Sequence, residues 1–323
     1  MRAWVASPPR RPRPAKVRRS DNSLQQDIMK VVSFRRGTGV SYGVLKDERV
    51  IDIGQRLPAC PDILSFIDKD ARNAAQALLD SGARGDHDFA SLDLLPVVPN
   101  PGKILCIGLN YHDHVAEADR ALGGREVPKK PMVFARWSES LTAHRGFIRR
   151  PQVSDQLDWE AELLVVIGKR VPRYTPVERA LAHVFGYAAM NEACLRDYQF
   201  HSRQLTPGKN FESTGAVGPW VVTADEIPNP QDLHIEMRLN GEVMQAANTS
   251  DMVFTVAQLI SYISDWLPLN PGDLIASGTM GGVGFARKPP IFMKPGDRAE
   301  VTISRIGTLV NEVRDEQLDQ PGS

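Results

Sequence analysis

The sequence predicts an α+β fold. Three observations lead there: many short strand-like runs, few amphipathic helical stretches, and no strict strand–helix alternation. The chain has 323 residues, 42% hydrophobic and 24% charged, enough to bury a large core in one big domain or two ordinary ones. Residues 1–28 stand apart. They hold four prolines, seven Lys/Arg and two acidic residues without apolar periodicity, and read as a disordered basic extension. An upstream start ahead of Met29, a basic tether and a targeting peptide compete as meanings, and the four prolines argue against an amphipathic transit helix. The absence of a 7–15-residue apolar core argues against a secretory signal.

From Lys30 the pattern is strand-like, in "KVVSFRRG" and "SYGVLKDERVIDIG". Residues 62–82 read as one helix, with Ile63, Phe66, Ile67, Ala74, Ala77 and Leu78 near one face and Gly82 as the cap. "LPVVPNPG" (95–102) reads as a linker, which gives a small domain at 29–98, a larger one at 100–315 and a tail at 316–323. In the larger part, "KILCIGLNY" (103–111), "LDWEAELLVVIGK" (157–169) and "FGYAAMNEA" (185–193) read as strands. Thr175, Pro176 and Glu178 predict a capping box that opens a helix over 176–184. Residues 233–246 alternate on both sides of Asn240-Gly241, a type I′ hairpin signal. Residues 255–267 read as an amphipathic helix; 270–279 and 294–313 each read as a turn followed by strand.

Composition narrows the function. The formal net charge is zero, but without residues 1–28 the balance is 32 basic to 37 acidic residues, which disfavours a nucleic-acid binder. No apolar run approaches the ~20 residues of a membrane-spanning helix, so no membrane partner is expected. Cys60, Cys106 and Cys194 are too few and too scattered for a disulfide framework or a thiolate zinc site, which suggests a reducing, cytoplasmic setting. "GTMGGVG" lacks the GK[ST] ending of a phosphate loop.

The sharpest local feature is Glu160-Ala161-Glu162. On a strand these two carboxylates project to one face. Either the strand end is exposed and both acids are solvated, or they are buried. Burial would call for a cation, a raised pKa or an Arg/Lys partner. Glu192, ending another apolar strand, is a third acid. An all-oxygen set of this kind suits Mg²⁺, Mn²⁺ or Ca²⁺ better than zinc.

At this point the blocks "KILCIGLNYHDHVAE", "DWEAELLVVIGKRV", "GYAAMNEACLRDYQ", "LNPGDLIASGTMGGVG" and "MKPGDRAEVTISRIGTL" resemble, in order, the fumarylacetoacetate hydrolase family. The resemblance runs from about residue 100 to 313. It implies a mixed β-sandwich roll or pseudo-barrel catalytic domain behind a small N-terminal α+β domain, in a homodimer. It implies Glu160, Glu162 and Glu192 as metal ligands for Mg²⁺ or Mn²⁺, with Ca²⁺ as a substitute. His114, oriented by Glu117 on a mobile lid, would deprotonate water. Lys209 would stabilise oxyanion charge, and Arg196, Gln199 and Thr279 would bind a dioxo- or 2-oxo-acid substrate. The implied reaction is hydrolysis of a carbon–carbon bond in acylpyruvate-type or dioxo-acid intermediates of aromatic or sugar-acid catabolism, through an enolate. Decarboxylation of a 2-oxo acid and 2-hydroxy-diene to 2-oxo-ene isomerisation use the same site, and a non-catalytic binding protein is the reading of another class.

Three positions depart from the family pattern. Glu192 replaces Asp, which requires the metal position or the strand end to shift. Met280 replaces Pro and implies a looser loop. Arg136-Trp137 replaces Lys-Pro and would reshape the substrate pocket.

Overall fold

The computed structural model describes residues 28–124 and 126–317. The basic extension, apart from Ile28, and most of the predicted tail lie outside them.

The strands are β1 (Lys30–Arg36), β2 (Gly39–Lys46), β3 (Arg49–Asp52), β4 (His87–Asp88), β5 (Ile104–Gly108), β6 (Met132–Arg136), β7 (Leu141–Ala143), β8 (Phe147–Arg150), β9 (Leu157–Asp158), β10 (Ala161–Ile167), β11 (Val184–Asn191), β12 (Cys194–Leu195), β13 (Gly215–Thr223), β14 (His234–Leu239), β15 (Glu242–Asn248), β16 (Leu274–Thr279), β17 (Arg298–Ile303) and β18 (Gly307–Asp315). The largest sheet runs β4-β3-β2-β1-β13-β11-β10-β16-β5-β6, with β7 also paired to β13. A five-stranded sheet runs β15-β14-β17-β18-β8, and β9 pairs with β12. Residues on both sides of position 99 share the large sheet, because β1 pairs antiparallel with β13.

β10 lies at the centre, between β11 and β16. Its run Leu-Leu-Val-Val-Ile is apolar on both faces, as a strand covered on both sides requires. Leu163, Val165 and Ile167 enter the main core beside the helix Val256–Ser264. Leu164 and Val166 enter a second core with Phe66 and Ile67. The period-two alternation of a strand therefore joins two cores through one element.

The Asn240-Gly241 hairpin forms with both residues in the left-handed region, φ 52° and 86°. Thr255 and Gln258 make a reciprocal capping box. Three expectations need correction. Residues 62–82 form two helices, Ile63–Asp68 and Arg72–Asp80, broken where Asp70 takes φ 47° and its carboxylate accepts from Arg72. The second helix therefore buries Ala75 and Leu79 rather than Ala74, Ala77 and Leu78. No capping box forms at Thr175; its hydroxyl donates to the Pro172 carbonyl, and the short helix Val177–Ala180 starts after Pro176. Residues 294–313 make a hairpin of β17 and β18, turning at Arg305 with φ 66°.

His144 ties the sheets together and gives a pH prediction. Its Nδ1 accepts from the Val310 backbone N–H at 3.0 Å, and its ring stacks on Phe89. Burial, with Arg145 beside it, lowers its pKa to about 4. The unfolded chain, near 6.5, binds this proton first as pH falls. The neutral ring's contribution is intact above about pH 6.5 and is lost progressively toward pH 4, by up to about 3 kcal/mol. Urea unfolding of His144→Gln should show a shallower loss of stability over that window than the parent chain. Identical slopes would contradict the assignment.

Candidate active site

The site is built where β10 begins and the antiparallel β11 and β16 end. The backbone departs from ladder geometry just before β10, and Trp159 and Glu160 lie in the break after β9. One long strand over 157–169 is therefore corrected to two. Side chains from distant parts of the chain satisfy the break: the Glu160 N–H donates to Asn191 Oδ1 and the Ala161 N–H to Gln245 Oε1, both at 3.0 Å. Glu192 follows the end of β11, and its N–H donates to the Glu160 carbonyl at 2.7 Å. These bonds bring the three acids together. Glu160, Glu162 and Glu192 are buried, and one ligand oxygen from each lies within 4.8 Å of the others.

The carboxylates are not equivalent. Glu160 receives Lys209 at 2.7 Å and Arg196 at 2.8 Å. Burial alone would raise its pKa, but these two cations hold it well below the usual carboxylate range. Glu192 receives Arg136 on one oxygen and Lys209 on the other, yet burial still raises it. Glu162 accepts from the Gly278 backbone N–H at 2.8 Å and has no cationic partner among the described residues. Burial, with Glu192 and Glu160 beside it, pushes it well above the ordinary range. A hard divalent cation among these oxygens would supply the charge that Glu162 lacks, so the donor set fits Mg²⁺ or Mn²⁺.

Lys209 reaches the acids because Pro207-Gly208 packs tightly against the preceding turn. A Cβ at Gly208 would lie 2.5 Å from Gln199 N and 2.6 Å from the Leu195 carbonyl. Arg196 donates to Asp158 at 2.7 Å and to Gln199 Oε1 at 2.9 Å. Its Nη2 is buried and has no hydrogen-bond partner among the described residues. The Thr279 hydroxyl donates to the Ala161 carbonyl and accepts from Gln245.

His114 and Glu117 lie on the helix His112–Leu122. His114 is buried, and its Nδ1 meets Glu117 Oε2 at 3.2 Å. The other oxygen of Glu117 accepts from the Gly282 N–H at 2.9 Å. Gly282 serves here because φ is +102° and a Cβ would lie 2.3 Å from the Met244 carbonyl. A cavity of about 490 Å³ is lined by His114, Glu160, Glu162, Arg196, Gln199, Lys209 and Thr279. Glu192 sits behind it, and Glu117 reaches it through His114.

Two departures read differently in three dimensions. Met280 is fully buried in the main core, so its loop is packed rather than loose. Arg136 does not face the cavity. It is buried between Glu192, the Ala193 carbonyl, Ser140 and Thr214. The longer acid at 192 is thus met by a guanidinium. Sequence reasoning also assigned no role to Asp158, which accepts from Arg196 and from the Gly284 and Phe285 N–H groups and so ties the Arg196 helix to the glycine-rich loop. Its place directly before "WEAE" was the available signal.

Residues 103–314 match the family described as "Fumarylacetoacetate (FAA) hydrolase C-terminal". Oxaloacetate tautomerase FAHD2A, mitochondrial, of Bos taurus is 39% identical over 226 residues, covering 69% of this chain and 70% of the relative. Oxaloacetate tautomerase fahd2, mitochondrial, of Xenopus laevis is 37% identical over 296 residues, covering 88% and 90%. Among solved structures, maleylpyruvate hydrolase from Sphingobium sp. SYK-6, in complex with manganese(II) ion and pyruvate, superposes with TM-score 0.73 at 28% identity, covering 90% of this chain and 100% of that one. Fumarylacetoacetate hydrolase from Exiguobacterium antarcticum gives TM-score 0.73 at 31% identity, covering 89% and 100%. With the family match spanning residues 103–314 and curated relatives more than 35% identical over two thirds or more of both chains, this chain belongs to the fumarylacetoacetate hydrolase family.

Proposed function

We propose that this chain is a divalent-cation-dependent hydrolase that cleaves a carbon–carbon bond in acylpyruvate-type or related dioxo acids through an enolate. The observation that carries the proposal is the meeting, at one cavity, of three buried carboxylates with the His114–Glu117 pair. Glu160, Glu162 and Glu192 would hold the ion, Mg²⁺ or Mn²⁺. When bound, it supplies polarisation of the 2-oxo oxygen and charge to offset an enolate.

The side chains supply the rest. Arg196 Nη2, left free by the bonds to Asp158, Glu160 and Gln199, fits the substrate carboxylate. Gln199 accepts from Arg196 through its carbonyl oxygen, so its amide N–H groups remain to donate. Lys209 fixes the spacing of Glu160 and Glu192 and offers positive charge to a developing oxyanion. Thr279 holds the end of β16 against Ala161 and so shapes that wall of the substrate site. With Nδ1 on Glu117, His114 has Nε2 for a proton from water. Hydroxide adds to the distal carbonyl. The bond to the adjacent carbon breaks, its electron pair becomes the enolate, and protonation gives pyruvate and a carboxylic acid. The helix carrying His114 ends at Gly123 and Gly124, both at positive φ, and is placed to act as a lid.

A second reading is keto–enol tautomerisation of a 2-oxo diacid, favoured by the identity with the oxaloacetate tautomerases. It uses the same site without water attack. The reading also carries a homodimer, as the family resemblance implies, and a reducing, cytoplasmic setting, supported by three buried free cysteines. No helix among the described residues is long and apolar enough to cross a membrane.

A coupled assay for pyruvate release across a panel of acylpyruvates, with and without EDTA, tests the proposal. Release that EDTA abolishes and Mn²⁺ restores is expected. Enolisation without pyruvate release would favour the second reading, and release indifferent to EDTA would contradict both.

A further inference from the structure

The cavity's buried charges lie at its floor, and its outer lining is largely apolar apart from Ser202 and Arg203. Glu160, Glu162, Arg196 and Lys209 are buried there, whereas three large apolar side chains that line the same cavity are substantially exposed: Leu122 at 46%, Met132 at 40% and Phe200 at 47%. Exposed large apolar groups converging on one opening mark a binding surface. They come from three separate elements: the end of the His114 helix, the start of β6 and the turn after Gln199.

The helix gives this surface a length. His114, Ala118 and Leu122 all line the cavity, and their spacing of i, i+4 and i+8 places them in one stripe. At 1.5 Å per residue the stripe extends about 12 Å from the base to the mouth. On the facing strand, Met132 lies across Gly108, where a Cβ would come within 2.0 Å of its terminal methyl. Gly108 thus leaves the room in which Met132 lies flat along the wall. The volume of about 490 Å³ falls in the range for drug-sized ligands and would be poorly filled by a four-carbon diacid.

We propose that the substrate's distal part is an extended apolar acyl chain, carried from the buried acids to the mouth along the His114–Ala118–Leu122 stripe. This rests on the acylpyruvate reading above and narrows it to long-chain 2,4-dioxo acids. The one charged group in the outer lining, Arg203, is exposed. A terminal carboxylate on the acyl chain is the alternative it would serve.

The test uses the full chain with Mn²⁺ and straight-chain 2,4-dioxo acids from acetyl to octanoyl. Burial of each added methylene predicts a rise in kcat/KM of about two- to fourfold, until the channel is filled. In Leu122→Asp and in Phe200→Asp the ratio of octanoyl to acetyl activity should fall by about tenfold. A flat or falling series, or an unchanged ratio in both variants, overturns the proposal. So does a preference for an ω-carboxylate over a methyl terminus at equal length. A second arm needs no turnover: simple 2-oxo acids of increasing chain length, with Mn²⁺, should raise the melting temperature progressively. If they do so while no dioxo acid releases pyruvate, the channel stands and the hydrolase reading falls. Stabilisation independent of chain length overturns the channel whatever the reaction.

Discussion

Replacing His114 by alanine is expected to lower carbon–carbon hydrolysis by roughly 10²–10⁴-fold, the usual contribution of a positioned general base. The reason is geometric. His114 is buried at the cavity, and Glu117 holds its Nδ1 while the Gly282 N–H holds Glu117. No other histidine lines that cavity among the described residues. Mn²⁺ binding by His114→Ala should persist, because the three acids are held by Asn191, Lys209, Arg136 and Gly278 rather than by the helix. Decarboxylation or isomerisation, which require no attacking water, should partly survive. Steady-state pyruvate release and Mn²⁺ titration on the same preparation check both halves. Hydrolysis at the parent rate would remove His114 from the mechanism.

Replacing Arg136 by methionine should destabilise the fold by about 3–5 kcal/mol, as expected when one partner of a buried ion pair is removed. Both side chains of the Arg136–Glu192 pair are fully buried. Arg136 also donates to Ser140, Thr214 and the Ala193 carbonyl, so its loss orphans several acceptors at once. Burial already raises Glu192 despite two cationic neighbours, and with one of them gone the carboxylate is still more costly to keep charged. Urea unfolding of Arg136→Met measures the cost, and adding Glu192→Gln should recover part of it. A loss below about 1 kcal/mol in the single variant would show that the pair does not hold this strand end.

Much of this was legible in the sequence for physical reasons. The run Leu163–Ile167 had to be a strand covered on both faces, because it offers no polar side for water. The Asn240-Gly241 turn is local chemistry and formed as read, and the amphipathic pattern over 255–267 formed the helix Val256–Ser264. Glu160, Glu162 and Glu192 stood out because acids embedded in apolar strands demand compensation. What escaped was non-local. The break at Trp159-Glu160 depends on side-chain acceptors at Asn191 and Gln245, 31 and 84 residues away. The kink at Asp70 is braced from far along the chain by Lys169, as well as locally by Arg72. Arg136 was visible as a departure from the family pattern, but its engagement with Glu192, 56 residues on, needs the sheet that brings β6 and β11 together.

The central claim is that three buried acids form one divalent-cation site. Mn²⁺ titration of the full chain, followed by electron paramagnetic resonance of the free ion, tests it most directly. One saturable site per chain is expected, abolished or severely weakened in Glu160→Gln, Glu162→Gln and Glu192→Gln variants that remain folded. Failure of the parent chain to bind Mn²⁺ at millimolar concentration, or equal binding by all three variants, would contradict the account.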